Sequence, residues 1–158
     1  MKLIILGSGS IGSEKNCSSY LIKAGKTQIL LDVGPGAYSQ LIKNKTNLEK
    51  IKAIFITHTH IDHVNDLPAI LWRCMYGIKR KLPLAIYGPK GFMKYFSGLM
   101  KLHPHIKNAE FKISIKELDN SSVRISDFRI ISKRTKHTKY SNAYRAENKD
   151  KAVIYSGD

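Results

Sequence analysis

The chain has 158 residues, a length that suits one domain, and its 42% of apolar residues can form a packed core, which excludes a disordered chain. No run of 18 or more apolar residues occurs, so we expect no membrane span. The net charge of +15, from 27 basic and 12 acidic residues, favours a phosphate-rich partner. The alternative is a general enrichment in lysine without a binding role.

The first third of the chain reads mainly as strands. Short apolar or β-rich runs predict strands at residues 2–6, 19–23 and 27–32, and Gly25-Lys26 forms a turn between the last two. The run at residues 53–56 is long enough for a buried strand and too short for a helix. The N-terminal run is too short for a signal peptide and reads better as the first strand.

Helical spacing dominates the middle of the chain. Apolar residues recur at intervals of three and four from Leu67 to Ile78, which predicts an amphipathic helix. Asn65 or Asp66 can cap this helix, and Pro68 fits its first turn. A strand at residues 84–87, a turn at residues 88–91 and a second helix from Phe92 follow.

The remainder alternates like β-structure up to Tyr155. Strands thus cluster early and late with helices between them, and no regular βαβ rhythm is apparent. We therefore predict an α+β fold with two packed sheets. Cys17 and Cys74 lie in apolar surroundings and are expected to be buried free thiols, which favours a cytosolic location.

Four residues with metal-binding side chains directly follow the buried strand at residues 53–56. They are His58, His60, Asp62 and His63. A strand end delivers side chains to a loop at the rim of a sheet, where active sites usually lie. Imidazole and carboxylate groups suit Zn²⁺, Mn²⁺ or Fe²⁺. His58 and His60 can face one side of an extended loop, while Asp62 and His63 turn towards a second position, so one loop can serve two adjacent metals.

The hexapeptide from His58 to His63, placed after an apolar strand, resembles the hallmark of the metallo-β-lactamase superfamily. The further segments resemble ribonuclease Z-like members in their content and order: Leu6-Gly7-Ser8-Gly9-Ser10, Cys17-Ser18-Ser19-Tyr20-Leu21, Leu31 to Gly36, Tyr87 to Phe92, Lys136-His137 and Tyr155-Ser156-Gly157-Asp158. The resemblance implies that residues 1–158 form a single domain, a four-layer αββα sandwich with the metal loops on one rim.

The resemblance also implies six ligands divided between two divalent metals, with zinc expected and manganese or iron as alternatives. His58, His60 and His137 would hold one metal. Asp62 and His63 would hold the other, and Asp158 would bridge the two. For His137, which lies in a basic run, the alternative is a surface residue, and for the terminal Asp158 it is a frayed carboxylate.

Residues around the metal ligands have expected roles as well. Asp62 would act in catalysis by orienting the attacking hydroxide, and Asp32 would brace the site without binding metal. His103 and His105 are expected to lie in a loop away from the metals. Ser141 and Asn142 are expected to line the pocket.

Two departures from ribonuclease Z-like members narrow the expected function. Only 21 positions separate His137 from Asp158, which leaves no room for the long arm that grips tRNA and favours a compact phosphodiesterase. The chain also stops at Asp158, before the final helix–strand unit, the last metal-binding histidine and a general acid. We therefore expect an incomplete form of an active enzyme that lacks the C-terminal portion of the sandwich, and the alternative is a naturally short protein.

The expected substrate contains phosphate. Cleavage of phosphodiester bonds in RNA or cyclic nucleotides is favoured by the basic charge and by the turn at residues 88–91. The alternatives are hydrolysis of another ester class, such as sulfate esters, thioesters or lactones, and a non-catalytic remnant that binds metal or nucleic acid. A homodimer is an expectation from the resemblance alone.

Overall fold

A computed structural model describes all residues from 1 to 158. The ten strands are β1 Lys2–Gly7, β2 Ser19–Ala24, β3 Thr27–Leu31, β4 Ile51–Phe55, β5 Leu84–Gly88, β6 Ile113–Glu117, β7 Ser122–Ile125, β8 Phe128–Arg134, β9 Asn142–Glu147 and β10 Ala152–Tyr155. The α-helices are α1 Ala37–Lys43, α2 Ile61–Val64, α3 Leu67–Trp72 and α4 Phe92–Leu102. Short 3₁₀ turns lie at Leu48–Lys50 and Pro104–Asn108.

The larger sheet has six strands in the order β1 to β6. Its first three strands pair antiparallel, but β3, β4, β5 and β6 run parallel. Each parallel step crosses over through a helical segment, so the expectation that the chain has no βαβ rhythm was wrong. The three crossovers differ in length and helix content, and this unevenness hid the repeat in the sequence.

The helices and the second sheet cover opposite faces of the six-stranded sheet. Alternate residues of its central strands point in opposite directions, as the β period requires. Leu30 and Ile54 belong to the core beneath the helices. Ile29 and Phe55 belong to the core shared with the four-stranded sheet, whose order is β10, β9, β8, β7. The predicted packing of two sheets is confirmed, and of the two helical layers in the expected αββα sandwich this chain contains the one on the six-stranded sheet.

The predicted helix at residues 67–78 forms in two pieces. It is α-helical to Trp72 and then continues as a π-helical turn, Arg73–Gly77. Pro68 lies in the first turn as expected, but the predicted capping role of Asn65 or Asp66 was wrong. Asp66 occupies the capping position, yet its carboxylate accepts a hydrogen bond from the Tyr38 amide at 2.8 Å and so joins α3 to α1 instead.

A buried arginine fixes the start of β4. The guanidinium of Arg80 donates to the carbonyl oxygens of Leu48 and Ile51 at 2.5 and 2.7 Å, and also to those of Leu82 and Pro83. Only 1% of Arg80 is exposed. Since β4 leads directly to His58, Arg80 stabilises the strand that presents the candidate metal ligands.

Both cysteine thiols are buried and free, as expected. None of the helices has the length and apolarity needed to cross a bilayer.

Candidate metal centre

The carboxyl ends of β3 and β4 place three side chains at one edge of the six-stranded sheet. Asp32 follows β3 directly, and His58 and His60 follow β4. Neighbouring parallel strands end at the same edge, which is why residues 26 positions apart in sequence meet there. Asp32 has a left-handed backbone with φ of 52°, a strained conformation for a non-glycine residue.

The hexapeptide continues into α2, which carries Asp62 and His63. The Val33 amide donates to the carbonyl oxygen of His63 at 2.8 Å, so the chain after β3 holds this helix in place. A β-carbon at Gly34 would clash with the backbone oxygen of Asp62. Glycine is therefore required for the close approach of the two loops.

The four-stranded sheet supplies the other two predicted ligands. His137 lies in the loop between β8 and β9, and Asp158 follows β10. The Asn142 amide donates to the Thr57 carbonyl at 3.0 Å, which joins this loop to the end of β4. Ligand-bearing segments from both sheets thus meet at one rim of the sandwich.

Ser141 and Asn142 do not line the pocket as expected. Both are buried, and their polar groups are used within the protein. The hydroxyl of Ser141 accepts a hydrogen bond from the Thr135 hydroxyl at 2.8 Å, which closes the loop around His137. The side-chain amide of Asn142 donates to the Leu118 carbonyl at 2.8 Å. Their contribution is to shape the loop, because the chain turns back into β9 at these two residues.

Two groups of three side chains have the spacing of a metal site. The first consists of His58, His60 and His137, and the second of His58, His63 and Asp158. Within each group the candidate ligand atoms all lie within 4.8 Å of one another. His137 Nε2 is 3.2 Å from His60 Nδ1, and His63 Nε2 is 3.2 Å from Asp158 Oδ1. Because His58 belongs to both groups, the two candidate positions are adjacent.

The first group has the composition expected from the sequence, whereas the second contains His58 where Asp62 was expected. Asp62 is nevertheless close, since its Oδ2 atom lies 3.7 Å from His63 Nε2. Its side chain is 16% exposed, so it borders the centre from the solvent side. The individual ligand roles of these residues remain predictions.

His58 has a buried ring nitrogen that is suited to binding a metal. It is completely buried, and its Nε2 atom has no hydrogen-bond partner. The hydroxyl of Thr57 donates to Asp32 at 2.7 Å, so it can only accept from Nδ1 of His58, 3.0 Å away. That tautomer leaves the lone pair of Nε2 directed into the centre. Burial and the neighbouring imidazoles lower the pKa of His58 to about 4, which keeps the ring neutral and able to bind metal.

Asp32 orients His63 through a buried hydrogen-bond network. Its Oδ2 atom accepts from His63 Nδ1, the Thr57 hydroxyl and the Tyr155 hydroxyl, each at 2.7 Å. Its Oδ1 atom accepts from the Thr57 amide, also at 2.7 Å. The network holds Nδ1 of His63 as a donor and leaves Nε2 facing Asp158. The expected bracing role of Asp32 thus has a definite geometry.

The same network controls two ionisation equilibria. Burial raises the pKa of Asp32, while the hydrogen bonds from His63, Thr57 and Tyr155 act in the opposite direction. Burial by itself would lower the pKa of His63, but the hydrogen bond and charge of Asp32, together with the charges of Asp158 and Asp62, raise that pKa.

Sequence reasoning gave no role to Thr57 or Tyr155. Thr57 immediately precedes the hexapeptide, and its position between β4 and His58 was the available signal. Tyr155 was noted only as part of the final motif, and its contact with Asp32 spans 123 positions of sequence. Of the two histidines expected to lie in a loop, His103 follows α4, but His105 lies in the 3₁₀ turn Pro104–Asn108, with its ring centre 4.6 Å from that of Trp72. Neither belongs to the two groups of possible metal ligands.

The residues at this rim fit a divalent metal. Neutral imidazole nitrogens and carboxylate oxygens are the ligands that zinc and neighbouring first-row metals prefer. A buried imidazole nitrogen without a hydrogen-bond partner, such as Nε2 of His58, destabilises a protein unless a ligand binds to it. The types of ligand atom and this unpartnered nitrogen therefore both fit a bound divalent metal.

Comparison with known proteins gives an independent view of the whole chain. The family model described as anti-Pycsar protein Apyc1 matches residues 1–158. A ribonuclease Z of Pyrococcus horikoshii is 34% identical over 154 residues, which cover 96% of this chain and 49% of that protein. A ribonuclease Z of Thermococcus sibiricus is 33% identical over 153 residues, with the same shares covered. The chain thus spans about half the length of the curated relatives it matches.

Solved structures agree with the sequence matches. The short form of human tRNase Z aligns with a TM-score of 0.81 at 25% identity, covering 100% of this chain and 69% of that one. The metallo-β-lactamase fold protein YhfI of Bacillus subtilis aligns with a TM-score of 0.80 at 23% identity, covering 99% and 61%. The metallo-β-lactamase fold and the resemblance to ribonuclease Z are thereby confirmed, and this fold implies the use of divalent metal.

Proposed function

The chain belongs to the anti-Pycsar protein Apyc1 family, and we propose that it acts in a metal-dependent hydrolase that cleaves phosphodiester bonds. One observation carries the proposal: two adjacent ligand groups share His58, whose buried Nε2 atom has no partner within the protein. The similarity to ribonuclease Z proteins supports a diester substrate, either RNA or a cyclic nucleotide.

We propose two divalent metals, with zinc as the expected ion. The first would be held by the imidazoles of His58, His60 and His137, and the second by Asp62 and His63, with Asp158 as a ligand available to both. Two such ions would supply a water that ionises near neutral pH and would offset the charge of the phosphate.

The protein side chains around these positions have separate tasks. Thr57 and Asp32 fix the ring orientations of His58 and His63, so that Nε2 of each faces the candidate metal centre. The carboxylate of Asp62 borders the centre and is proposed to accept a hydrogen bond from the attacking water, which orients it towards phosphorus. Asp62 would accept the proton of the water as the new P–O bond forms and the P–O bond to the leaving oxygen breaks, and the leaving oxygen would take up a proton from solvent.

The surrounding charge favours phosphate over uncharged esters. The net charge of +15 attracts polyanions and nucleotides over a distance of about one Debye length, ~8–10 Å in ordinary salt. The β9–β10 connection between His137 and Asp158 is a short turn, and this segment contains no arm that could grip tRNA. A compact diesterase is therefore the preferred form of the proposal. The proposal also includes a cytosolic location, which the free thiols suggest, and a homodimer.

The test is a diesterase assay of the 158-residue chain, using bis(p-nitrophenyl) phosphate with Zn²⁺ or Mn²⁺. We expect the activity to disappear with chelator and to fall by more than about a hundredfold in His60→Ala, since even outer partners of metal ligands are worth 10–100-fold. His103→Ala is the matched control and should retain full activity. Cleavage of thioesters with no cleavage of diesters would overturn the proposal.

A further inference from the structure

Three cationic side chains surround the ring of Tyr140 beside the candidate metal centre. The Nζ atoms of Lys90 and Lys139 lie 5.7 and 5.5 Å from the ring centre, and the guanidinium carbon of Arg134 lies 5.3 Å from it. These four residues are called the Tyr140 platform below. The three cations are exposed and the ring is half-buried, so the platform faces solvent.

The charges of the platform are poorly balanced within the protein. Arg134 pairs with Asp119 at 3.2 Å, but Lys90 and Lys139 have no carboxylate within salt-bridge distance. Residues 133–139 contain four basic side chains and no acid. Like charges gathered this closely repel one another, and an anion bound between them would relieve the repulsion.

The platform and the metal centre share one loop. Tyr140 lies three residues after His137, so their Cα atoms are at most about 10 Å apart. The hydroxyl of Thr138 donates to the Tyr140 carbonyl at 2.9 Å, and the pair Thr135–Ser141 closes the loop. On the other side, the Tyr140 ring approaches Gly91 at the start of α4, where only hydrogen occupies the side-chain position. The Tyr140 ring and His137 are thus carried by the same short loop.

We propose that the Tyr140 platform binds a nucleotide of the substrate. Its base would displace the exposed lysine side chains from over the Tyr140 ring and stack there, and Lys90 and Lys139 would hold a phosphate. An aromatic ring flanked by lysine and arginine is the combination that binds single-stranded nucleic acid, because every base has a face that can stack. The inference rests on the proposed diesterase function and adds the part of the site that recognises the substrate. The nucleotide can come from an RNA strand or from a cyclic mononucleotide.

The test measures binding to the 158-residue chain in EDTA, where no metal-dependent cleavage occurs. The probes are a fluorescein-labelled 12-nucleotide oligouridylate, followed by anisotropy, and 3′,5′-cyclic adenosine monophosphate, followed by calorimetry. Tyr140→Ala should weaken binding by about five- to a hundredfold, the range for loss of one stacked base. Tyr140→Phe keeps the ring and should bind like the wild type.

The lysines are tested by the salt dependence of RNA binding. Replacing both Lys90 and Lys139 by Gln should lower the slope of log K against log salt by about 0.7, the value for one phosphate that is no longer neutralised. The matched control replaces Lys149 and Lys151, in the distant β9–β10 turn, by Gln and should leave the slope unchanged.

The outcomes separate the nucleotide source from the proposal itself. Weaker binding of RNA alone identifies a strand as the ligand, and weaker binding of the cyclic nucleotide identifies a mononucleotide. Unchanged binding of both probes by Tyr140→Ala, or equally weakened binding in Tyr140→Phe, would overturn the platform. Since no cleavage is measured, this result is independent of the diesterase assay, whose failure would count against the proposed function alone.

Discussion

Replacing Asp32 by Asn tests whether the buried network prepares His63 for metal binding. The carboxylate accepts four hydrogen bonds, three at Oδ2 and one at Oδ1. An asparagine has one oxygen and one NH₂ group, so in either orientation a donor faces a donor. The less costly orientation keeps the three bonds at the Oδ2 position and loses the bond to the Thr57 amide.

The magnitude follows from these hydrogen bonds. Loss of one hydrogen bond to a charged, buried acceptor destabilises the fold by about 1.5–3 kcal/mol. The His63 imidazole also loses the negative partner that fixes its tautomer. Outer partners of metal-binding histidines are worth about 10–100-fold in affinity, or about 1.4–2.7 kcal/mol. We therefore expect Asp32→Asn to weaken zinc binding by that factor while all six predicted ligands remain.

The assay is competition for Zn²⁺ against a colorimetric chelator at pH 7.5, with thermal unfolding measured in parallel. Asp150→Asn, in the exposed β9–β10 turn, is the matched control and should bind zinc like the wild type. A folded Asp32→Asn protein with unchanged zinc affinity would refute the reasoning. If Asp32→Asn does not fold, Tyr155→Phe removes a single donor from the network and should still weaken zinc binding several-fold.

Two predictions concern the body of the fold. Burial raises the pKa of Cys74 to about 11 and also raises that of Cys17, so both thiols should be unreactive towards a disulfide reagent at pH 8 until the chain is unfolded. Because the folded chain holds the Cys74 proton more tightly, this group stabilises the fold below pH ~9 and loses that effect as the pH rises towards 11. Rapid labelling of the native protein at pH 8 would contradict the expected protection of the thiols. Arg80→Met leaves the carbonyls of Leu48 and Ile51 without donors and should lower the free energy of unfolding by about 2–5 kcal/mol in urea titration, whereas the exposed Arg124→Met should change it little.

The location of the site could be predicted from the sequence because its strongest signal is local. The hexapeptide after β4 combines a buried strand, a loop and the start of a helix within a few residues, and its geometry follows from that order. His137 and Asp158 also lie shortly after strands, although only the family resemblance connected them with the hexapeptide.

The supporting contacts could not be predicted because they join distant parts of the chain. Tyr155 meets Asp32 only after the two sheets have packed together, and nothing in its immediate neighbours indicates a polar contact. Asp66 has the sequence features of a helix cap, but the nearby Tyr38 amide competes for its carboxylate. The parallel crossovers were missed for a different reason, since their helices are short and unequally spaced.

The supply of candidate ligands by both sheets links metal content to folding. No strand pairing joins the two sheets, whose contact depends on side-chain packing and a few hydrogen bonds such as that from Tyr144 to the Ile56 carbonyl. An ion held by His58 from one sheet and Asp158 from the other binds only the assembled sandwich. At a free concentration a thousand times its Kd, one such ion would add about 4 kcal/mol to the free energy of unfolding. Metal availability in the cell would then set the lifetime of the protein as well as its activity.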